Sequence, residues 1–155
     1  MNTVLFFDYS VDKEKKTISF EKEFAANRGL VWDAWTKPEF LDRWWAPKPF
    51  QAKTRSMDFR VGGSWHYDMI TPDNVAIPSQ ADFREIEEQK RFSSEGWSHT
   101  IWTYSFDVSG ETTRVKVVIQ YDRLSDLEMM DSMGFKDGMM KALGSLAEIL
   151  EAHSH

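Results

Sequence analysis

The feature that most constrains the fold is an apolar stripe at helical spacing near the C-terminus, which follows a series of strand-like segments. The stripe consists of Phe135, Met139, Ala142, Leu143, Leu146 and Leu150. A helix with such a stripe has to bury it against another element. The segments before it predict that this partner is the concave face of a sheet.

The predicted sheet lies mainly between residues 50 and 121, where apolar and polar residues alternate. The clearest example is Trp65, Tyr67 and Met69, which alternate with polar neighbours after the turn Gly62-Gly63. Similar segments cover residues 81–86, 92–97, 102–106 and 115–121, and residues 4–9 and 17–25 precede them. Because no helix separates the later segments, we expect an antiparallel sheet of about six or seven strands.

Helix signals flank the sheet. Asn27 can cap a short helix, and residues 36–39 (TKPE) form a capping box for a second one. Residues 125–128 (SDLE) form another capping box, with Leu124 and Met129 at hydrophobic-staple positions, where the long helix should begin. Gly134 lies inside this helix, so we expect a kink or a change of packing there. The order of elements predicts an α+β helix-grip fold.

Four sequence segments carry a resemblance to a known family. They are residues 30–39 (LVWDAWTKPE) followed by 44–47 (WWAP), residues 58–65 (DFRVGGSW), residues 83–86 (FREI) and the helix that begins around Gly134-Phe135. The combination resembles the family named for the C-terminal domain of the heat-shock-chaperone ATPase activator, within the START-like or SRPBCC helix-grip superfamily. The resemblance runs from about Thr17 to Leu150.

The resemblance implies a curved antiparallel sheet wrapped around the long C-terminal helix, with two short helices after the first core strand. We expect one such domain over residues 1–155, with residues 1–16 as an N-terminal strand and turn. The eukaryotic activator carries its main chaperone-docking function on an additional N-terminal domain, for which a chain of 155 residues has no room. The family name therefore does not transfer a chaperone-activating role.

Composition excludes several classes of partner. A formal net charge of −6 opposes binding to nucleic acid or to an anionic membrane surface. Cysteine is absent, which excludes disulfides, a thiol nucleophile and Cys-based zinc sites. No signal peptide and no apolar stretch of about 20 residues, the length of a membrane span, is visible. We therefore expect a cytoplasmic protein with no predicted cofactor.

Catalytic signals are sparse. The histidines, His66, His99, His153 and His155, do not form a metal-ligand pattern, and Ser98-His99 lacks a third member for a triad. The remaining acid–base candidates are Asp82, Arg84, Glu85, Tyr67 and Tyr104. Strand alternation places Glu85 on the inner face with Phe83, where it would be a weak catalytic candidate, although a bulge would reverse this. Whether the chain is an enzyme stays open, and the sequence favours a binding domain.

The binding hypothesis depends on side chains that should converge beneath the long helix. These predicted cavity residues are Met57, Trp65, Tyr67, Phe83, Trp102, Tyr104, Phe135, Met139 and Leu143. A helix across a curved sheet can leave a cavity for an apolar ligand, unless bulky rings fill the space. The first hypothesis is an apolar small-molecule binder. The alternatives are a chaperone-linked or other protein-interaction module, and a cyclase- or hydrolase-type enzyme. The chain could be a monomer or a homodimer.

Overall fold

The structure is a computed structural model and describes residues 6–153. Its strands are β1 (Phe7–Asp12), β2 (Thr17–Phe24), β3 (Gln51–Met57), β4 (Ser64–Ile70), β5 (Ala76–Glu87), β6 (Arg91–Glu95), β7 (Ile101–Ser109) and β8 (Thr112–Gln120). Its α-helices are α1 (Arg28–Thr36), α2 (Pro38–Trp44), α3 (Leu124–Ser132) and α4 (Phe135–His153). A 3-10 turn, Trp97–His99, joins β6 to β7. This element order is that of the predicted helix-grip fold.

All eight strands form one antiparallel sheet in the order β1-β2-β8-β7-β6-β5-β4-β3. The sequence predicts six or seven strands, and the sheet contains at least one more. The predicted strand 4–9 begins among residues outside the described range, and its described part continues to Asp12. β1 and β3 are the two edge strands, so the sheet is open rather than closed into a barrel.

The turn Gly62-Gly63 between β3 and β4 depends on both glycines. Gly62 has φ +86°, and a Cβ on Gly63 would lie 2.1 Å from the carbonyl oxygen of Asp58. The same turn contacts β5, because the Gly62 amide donates to the Phe83 carbonyl and the Phe83 amide donates to the Gly63 carbonyl. The turn therefore holds Phe83 at the inner face of the sheet.

A β-bulge follows Phe83 in β5. Phe83 pairs with Ser94 and Glu85 pairs with Ser93, which leaves Arg84 as the extra residue. Arg84 and Glu85 are both exposed, whereas Ile86 packs against the core. The expectation that Glu85 faces inward with Phe83 is therefore wrong, because the bulge reverses the alternation after Phe83.

The helix caps agree with the sequence in one case out of three. Asn27 caps α1 by accepting a hydrogen bond from the Leu30 amide at 2.8 Å. The box at residues 36–39 is wrong, because Thr36 ends α1 and its hydroxyl donates to the Trp32 carbonyl, so that Lys37 becomes the N-cap of α2.

The second predicted box, residues 125–128, is also wrong. α3 begins at Leu124 with Arg123 as its N-cap, so Ser125 already lies inside the helix. Leu124 and Met129 are 38 % and 42 % exposed, so they do not form a buried staple. The predicted break at Gly134 is present, because Gly134 has φ +84° and separates α3 from α4.

α4 packs against β2, α1 and α2, and its apolar stripe belongs to the core. Leu143, Leu146 and Leu150 are each at most 1 % exposed. α1 covers β7 and β8, and its Trp32 contacts Phe106 edge to face at 5.0 Å. None of the helices in residues 6–153 combines the length and the apolar character that crossing a membrane requires.

Candidate functional site

An open cleft of about 690 Å³ lies on the inner face of the sheet. Its walls come from β4 to β7, from α1 and the end of α2, from the segment between β6 and β7, and from α3 through Met130. Apolar and aromatic side chains on its wall include Trp35, Leu41, Trp45, Met57, Trp65, Tyr67, Ile77, Phe83, Phe92, Trp97, Trp102, Tyr104, Tyr121 and Met130. This is the candidate functional site.

Six of the nine predicted cavity residues line this cleft: Met57, Trp65, Tyr67, Phe83, Trp102 and Tyr104. The three helical ones, Phe135, Met139 and Leu143, do not. Phe135 contacts Trp102 and Phe20 edge-on or tilted, at 6.0 and 6.4 Å between ring centroids. Met139 and Leu143 are buried in the core. α3 rather than α4 reaches the cleft. Met130 of α3 therefore forms the part of the wall that the sequence analysis assigns to Phe135, Met139 and Leu143.

The Trp44-Trp45 pair divides its two rings between core and cleft. Trp44 is fully buried, and its indole Nε1 donates to the Ala34 carbonyl at 2.8 Å. Trp45 lines the cleft and donates its Nε1–H to the Tyr67 hydroxyl at 3.2 Å. Trp65 stacks on Tyr67 with ring centroids 3.9 Å apart. These contacts hold the rings of the aromatic wall in one arrangement.

The floor of the cleft is formed by β6 and β7. The rings of Phe92 and Tyr104 stack with centroids 4.3 Å apart, and Trp102 is adjacent to Tyr104 on the same face. Burial raises the pKa of Tyr104 well above its usual range, and the nearby Tyr67 adds to this effect. The phenol is therefore neutral at physiological pH and cannot act there as a base.

The mouth of the cleft carries exposed apolar side chains. Ile77 is 48 % exposed and Trp97 is 61 % exposed. Trp97 begins the 3-10 turn, in which Ser98 and His99 both have positive φ, 55° and 58°. Non-glycine residues rarely adopt this conformation, and two in succession hold a tight turn with the indole at the rim.

The Ser98-His99 pair does not form a catalytic arrangement. The Ser98 hydroxyl donates to Asp126 Oδ2 at 2.7 Å, which ties the turn to α3. His99 Nδ1 lies 2.9 Å from Glu95 Oε2, and the other Glu95 oxygen accepts from Arg84 Nη1 at 3.1 Å. The two side chains thus contact different partners and position the turn. Sequence periodicity could not reveal this turn, because its positive φ values occur at non-glycine residues.

Of the acid–base candidates, Tyr67, Asp82 and Tyr104 line the cleft, whereas Arg84 and Glu85 do not. Arg84 and Glu85 are exposed on the outer face, so Glu85 cannot act as a catalytic carboxylate in the cleft. Asp82 lies at the rim, where Ser64 and Gln80 donate to its Oδ1 at 2.6 and 2.7 Å. These two hydrogen bonds lower the pKa of Asp82, which keeps it ionised and unsuited to donate a proton.

Three residues of the cleft wall carry a buried polar side-chain group that the sequence interpretation missed. These groups are the indole Nε1–H of Trp35 and the hydroxyls of Thr100 and Tyr121, all at most 4 % exposed as residues and without a hydrogen-bond partner in the described part of the chain. Thr100 follows the same alternation as Trp102 and Tyr104, so strand periodicity extended by two residues would have placed it on the inner face. Tyr121 similarly continues Val117 and Ile119.

Between residues 6 and 153, no three His, Asp or Glu side chains are grouped closely enough to hold a metal ion. The titratable groups around the cleft are instead isolated or paired at its rim.

Comparison with known families identifies this fold. The family model described as "Activator of Hsp90 ATPase homolog 1-like protein" matches residues 25–151. Protein Ms6760 from Mycobacterium smegmatis is 24 % identical, with 98 % of this chain and 100 % of that one covered and a TM-score of 0.88. A protein from Arthrobacter aurescens is 25 % identical, with coverage of 94 % and 91 % and a TM-score of 0.86. The AHSA1-like protein from Aeromonas hydrophila is 20 % identical, with coverage of 86 % and 93 % and a TM-score of 0.74. No curated protein matches this chain.

Proposed function

The chain belongs to the family of Activator of Hsp90 ATPase homolog 1-like proteins, and we propose that it binds an apolar small molecule in the cleft beneath α3. The observation that carries this proposal is the cleft itself, which has a volume of about 690 Å³ and is lined by stacked aromatic rings. Ligand pockets are commonly of roughly 300–1,000 Å³ and are lined mainly by apolar side chains.

The rim supports the same function. Trp97 and Ile77 are both largely exposed and both line the cleft. Exposed apolar groups that adjoin a concave surface mark interaction sites more often than isolated surface residues do. A ligand that fills the cleft would cover these two side chains, which no described protein segment covers fully.

The alternatives have less support. A chaperone-linked role rests on the family name alone, and no surface feature of residues 6–153 argues for that partner over another. An enzyme of cyclase or hydrolase type would need a proton donor or base in the cleft. The exposed Glu85 cannot serve, and the pKa of the neutral Tyr104 phenol is raised by burial.

The test is titration with Nile red, an uncharged apolar dye whose fluorescence increases in apolar surroundings. The purified protein should bind it at one site, and Trp97→Ala should weaken binding about fivefold, because an aromatic contact at the rim is lost. The matched control is Val108→Ala, since Val108 is 56 % exposed but lies away from the cleft on β7. Absence of saturable binding, or equal losses in both variants, would refute the proposal.

A further inference from the structure

The first half of β5 has a strand beside it on one side only, although it borders the cleft and does not belong to an outer strand of the sheet. This segment, residues 76–81, is named the open edge. We propose that the open edge binds an extended segment of another protein as an added antiparallel strand, in which outward-facing basic residues alternate with apolar residues that face the mouth of the cleft. The inference goes beyond the proposed function, because it does not require a small molecule in the cleft.

The open edge exists because β5 is longer than its partner β6. β4 pairs with β5 from Ala76 to Asp82, whereas the pairing of β6 with β5 begins only at Asp82. Where β6 ends, the chain leaves the sheet and enters the 3-10 turn. Within residues 6–153, no strand therefore pairs with the open edge on the β6 side. An unpaired edge of this kind can take up a strand from another chain.

The pairing of β5 with β4 decides which backbone groups of the open edge are free. The Phe83 amide donates to the Gly63 carbonyl, and the Phe83 carbonyl accepts from the Gly62 amide, so Phe83 bonds toward the β4 side. Residues of an antiparallel strand bond alternately to its two sides. Odd-numbered residues of the open edge therefore bond to β4, and even-numbered ones point away from it. Pro78, which has no N–H to give to β4, fits this assignment.

Within the described residues, the groups left free are the amide and carbonyl of Ala76, the carbonyl of Pro78, and the amide and carbonyl of Gln80. A Cβ on Gly96, the residue that follows β6, would lie 3.8 Å from the Gln80 carbonyl oxygen, so this oxygen is on the side away from β4. An added strand would bond to these groups as β6 bonds to the later part of β5. Proline within a strand is typical of an exposed edge.

The two outer strands of the sheet are protected against the same kind of pairing. The Thr54 amide of β3 donates to Asp42 of α2 at 2.9 Å, so the helix covers part of that edge. β1 carries Asp8 and Asp12 on its exposed side. A covering helix and charged side chains are common protections of a sheet edge. Residues 76–81, in contrast, contain no charged residue and are mostly exposed.

Apolar side chains adjoin the open edge at the mouth of the cleft. Ile77 of the open edge, Val75 next to it and Trp97 of the 3-10 turn are all exposed. Ile77 and Trp97 both line the cleft, and the turn contacts β5. Apolar residues at alternate positions of an added strand would cover these side chains.

Two carboxylates flank the open edge and have no ion-pair partner among residues 6–153. Asp82 follows its last residue, Asp73 lies in the turn before its first, and both are exposed. Hydrogen bonds from Ser64 and then Gln80 lower the pKa of Asp82, so its carboxylate is ionised. None of the described residues that line the cleft is Lys, Arg or His. Basic residues of an added strand would complement this charge.

The geometry decides which amides of the added strand form the bonds. In an antiparallel pair, directly opposite residues have their side chains on the same face. Gln80 bonds toward the added strand, and it shares the outer face with Asp82, to which its side chain donates at 2.7 Å. The residues that exchange backbone bonds with β5 are therefore those with outward, basic side chains. The amides of the apolar residues point away from β5.

The probe is a peptide amide in which four lysines alternate with three valines. At about 3.3 Å per residue the open edge is about 20 Å long, which this peptide spans. Isothermal titration calorimetry should give a Kd of about 100 μM for the parent protein. The analogue with glutamate in place of lysine should bind at least about tenfold more weakly, because its charge has the same sign as that of Asp82 and Asp73.

N-methylated peptides test the strand pairing directly. Methylation of the lysine amides removes the donors that face β5 and should weaken binding at least about tenfold. Methylation of the valine amides keeps those donors and is the matched control, with a Kd within about twofold of that of the parent peptide. At a peptide concentration of about ten times Kd, hydrogen exchange of the Gln80 amide should slow about tenfold, whereas that of the Ala81 amide, which bonds to β4, should not change.

Asp82→Asn tests the contribution of charge. The amide keeps an oxygen that accepts from Ser64 but removes the negative charge, so the lysine peptide should bind about threefold more weakly. Asp107→Asn is the matched control, because Asp107 is exposed on β7, does not line the cleft, and gives the same change in net charge. Its Kd should equal that of the parent protein.

The outcomes separate this inference from the proposed function. If the lysine peptide does not bind, or if methylation of the valine amides is as damaging as methylation of the lysine amides, the inference is overturned. Equal binding of the glutamate peptide, or equal effects of Asp82→Asn and Asp107→Asn, overturns the basic character of the partner. Nile red titration of the same protein reports on the cleft alone, so the failure of either proposal leaves the other standing.

Discussion

The inner face of the sheet has two sides that are both apolar but are covered differently. On the packed side, α1 and α4 cover β2 and the central parts of β7 and β8, where Val117, Ile119 and Leu146 are fully buried. On the cleft side, the inner residues of β4 to β6 and the Thr100 end of β7 face an open space of about 690 Å³. A large apolar surface is thus a solid core on one side and the wall of an open cleft on the other.

The difference comes from how the C-terminal helix is divided. Gly134 ends the first segment, so α4 lies along the packed side and α3 reaches the cleft with Met130. We therefore expect the packed side to contribute most of the stability, because its apolar side chains are more fully buried. Three measurements would break or sharpen this comparison.

Removal of an aliphatic side chain should have the largest effect on the packed side. Leu146→Ala should lower the free energy of unfolding by about 3 kcal/mol, because a fully buried leucine leaves a cavity. Met130→Ala, in the cleft wall, should cost less than about 1 kcal/mol, since that side chain is only half-buried. Urea unfolding of both variants gives the comparison. Equal losses would mean that the cleft side is packed as tightly as the core.

Alkaline pH tests whether water is excluded from the Tyr121 phenol. The pKa of Tyr121 is raised to about 12 by burial and then by Asp131 and Asp126, whereas an unfolded tyrosine titrates near 10. The protonated form is therefore favoured in the folded state. Stability is unaffected below about pH 10 and falls as pH rises from about 10 to 12, where the unfolded chain has lost the proton and the folded one has not.

Each tyrosine with a raised pKa makes the unfolding free energy fall by up to about 1.4 kcal/mol per pH unit in this window. Tyr121→Phe should reduce the slope by about that amount, as measured by urea unfolding at pH 9 to 11.5. The pKa of Tyr9 is also raised, first by burial and then by Asp131, so Tyr9→Phe is a matched comparison outside the cleft. An unchanged slope in Tyr121→Phe alone would show that water reaches the Tyr121 phenol.

A substitution on the outer surface of α4 should have the smallest effect, and it should stabilise. Gly144 is exposed inside α4, and a Cβ there would meet no atom within 4 Å. Gly144→Ala should raise the free energy of unfolding by about 1 kcal/mol, because alanine favours a helix over glycine by that amount. Thermal unfolding would show the gain. A loss of stability would indicate that α4 needs the glycine for a contact outside residues 6–153.

Much of the fold was predictable from local patterns. Alternation in residues 64–69 and the stripe on α4 identified a strand and a helix, because each periodicity follows from backbone geometry. Asn27 was identified as a cap because an Asn side chain before a helix can accept a hydrogen bond from a free amide of the first turn. The two other caps failed because a capping motif describes local hydrogen bonding, whereas the competing bond of Thr36 to Trp32 depends on where the preceding helix ends.

The candidate site was predictable only on its sheet side. The residues on strands, such as Trp65 and Tyr104, face the cleft as alternation implies. Met139 and Leu143 were misplaced because an apolar stripe shows which face of a helix is buried but not which part of the sheet it covers. The unpartnered Thr100 and Tyr121 were missed because satisfaction of a buried hydroxyl depends on tertiary neighbours that no local pattern contains.

The bulge at Arg84 gives this part of the strand one residue more than its partner strand, and its loss would not change which side chains face inward. Arg84 and Glu85 are both exposed, so most replacements there should be tolerated. Deletion of Arg84 would remove the bulge and restore regular alternation, with Phe83 and Ile86 still inward and Glu85 still outward. Among natural variants of this protein, we therefore expect the loss of one residue between Phe83 and Ile86 to be tolerated better than elsewhere in β5.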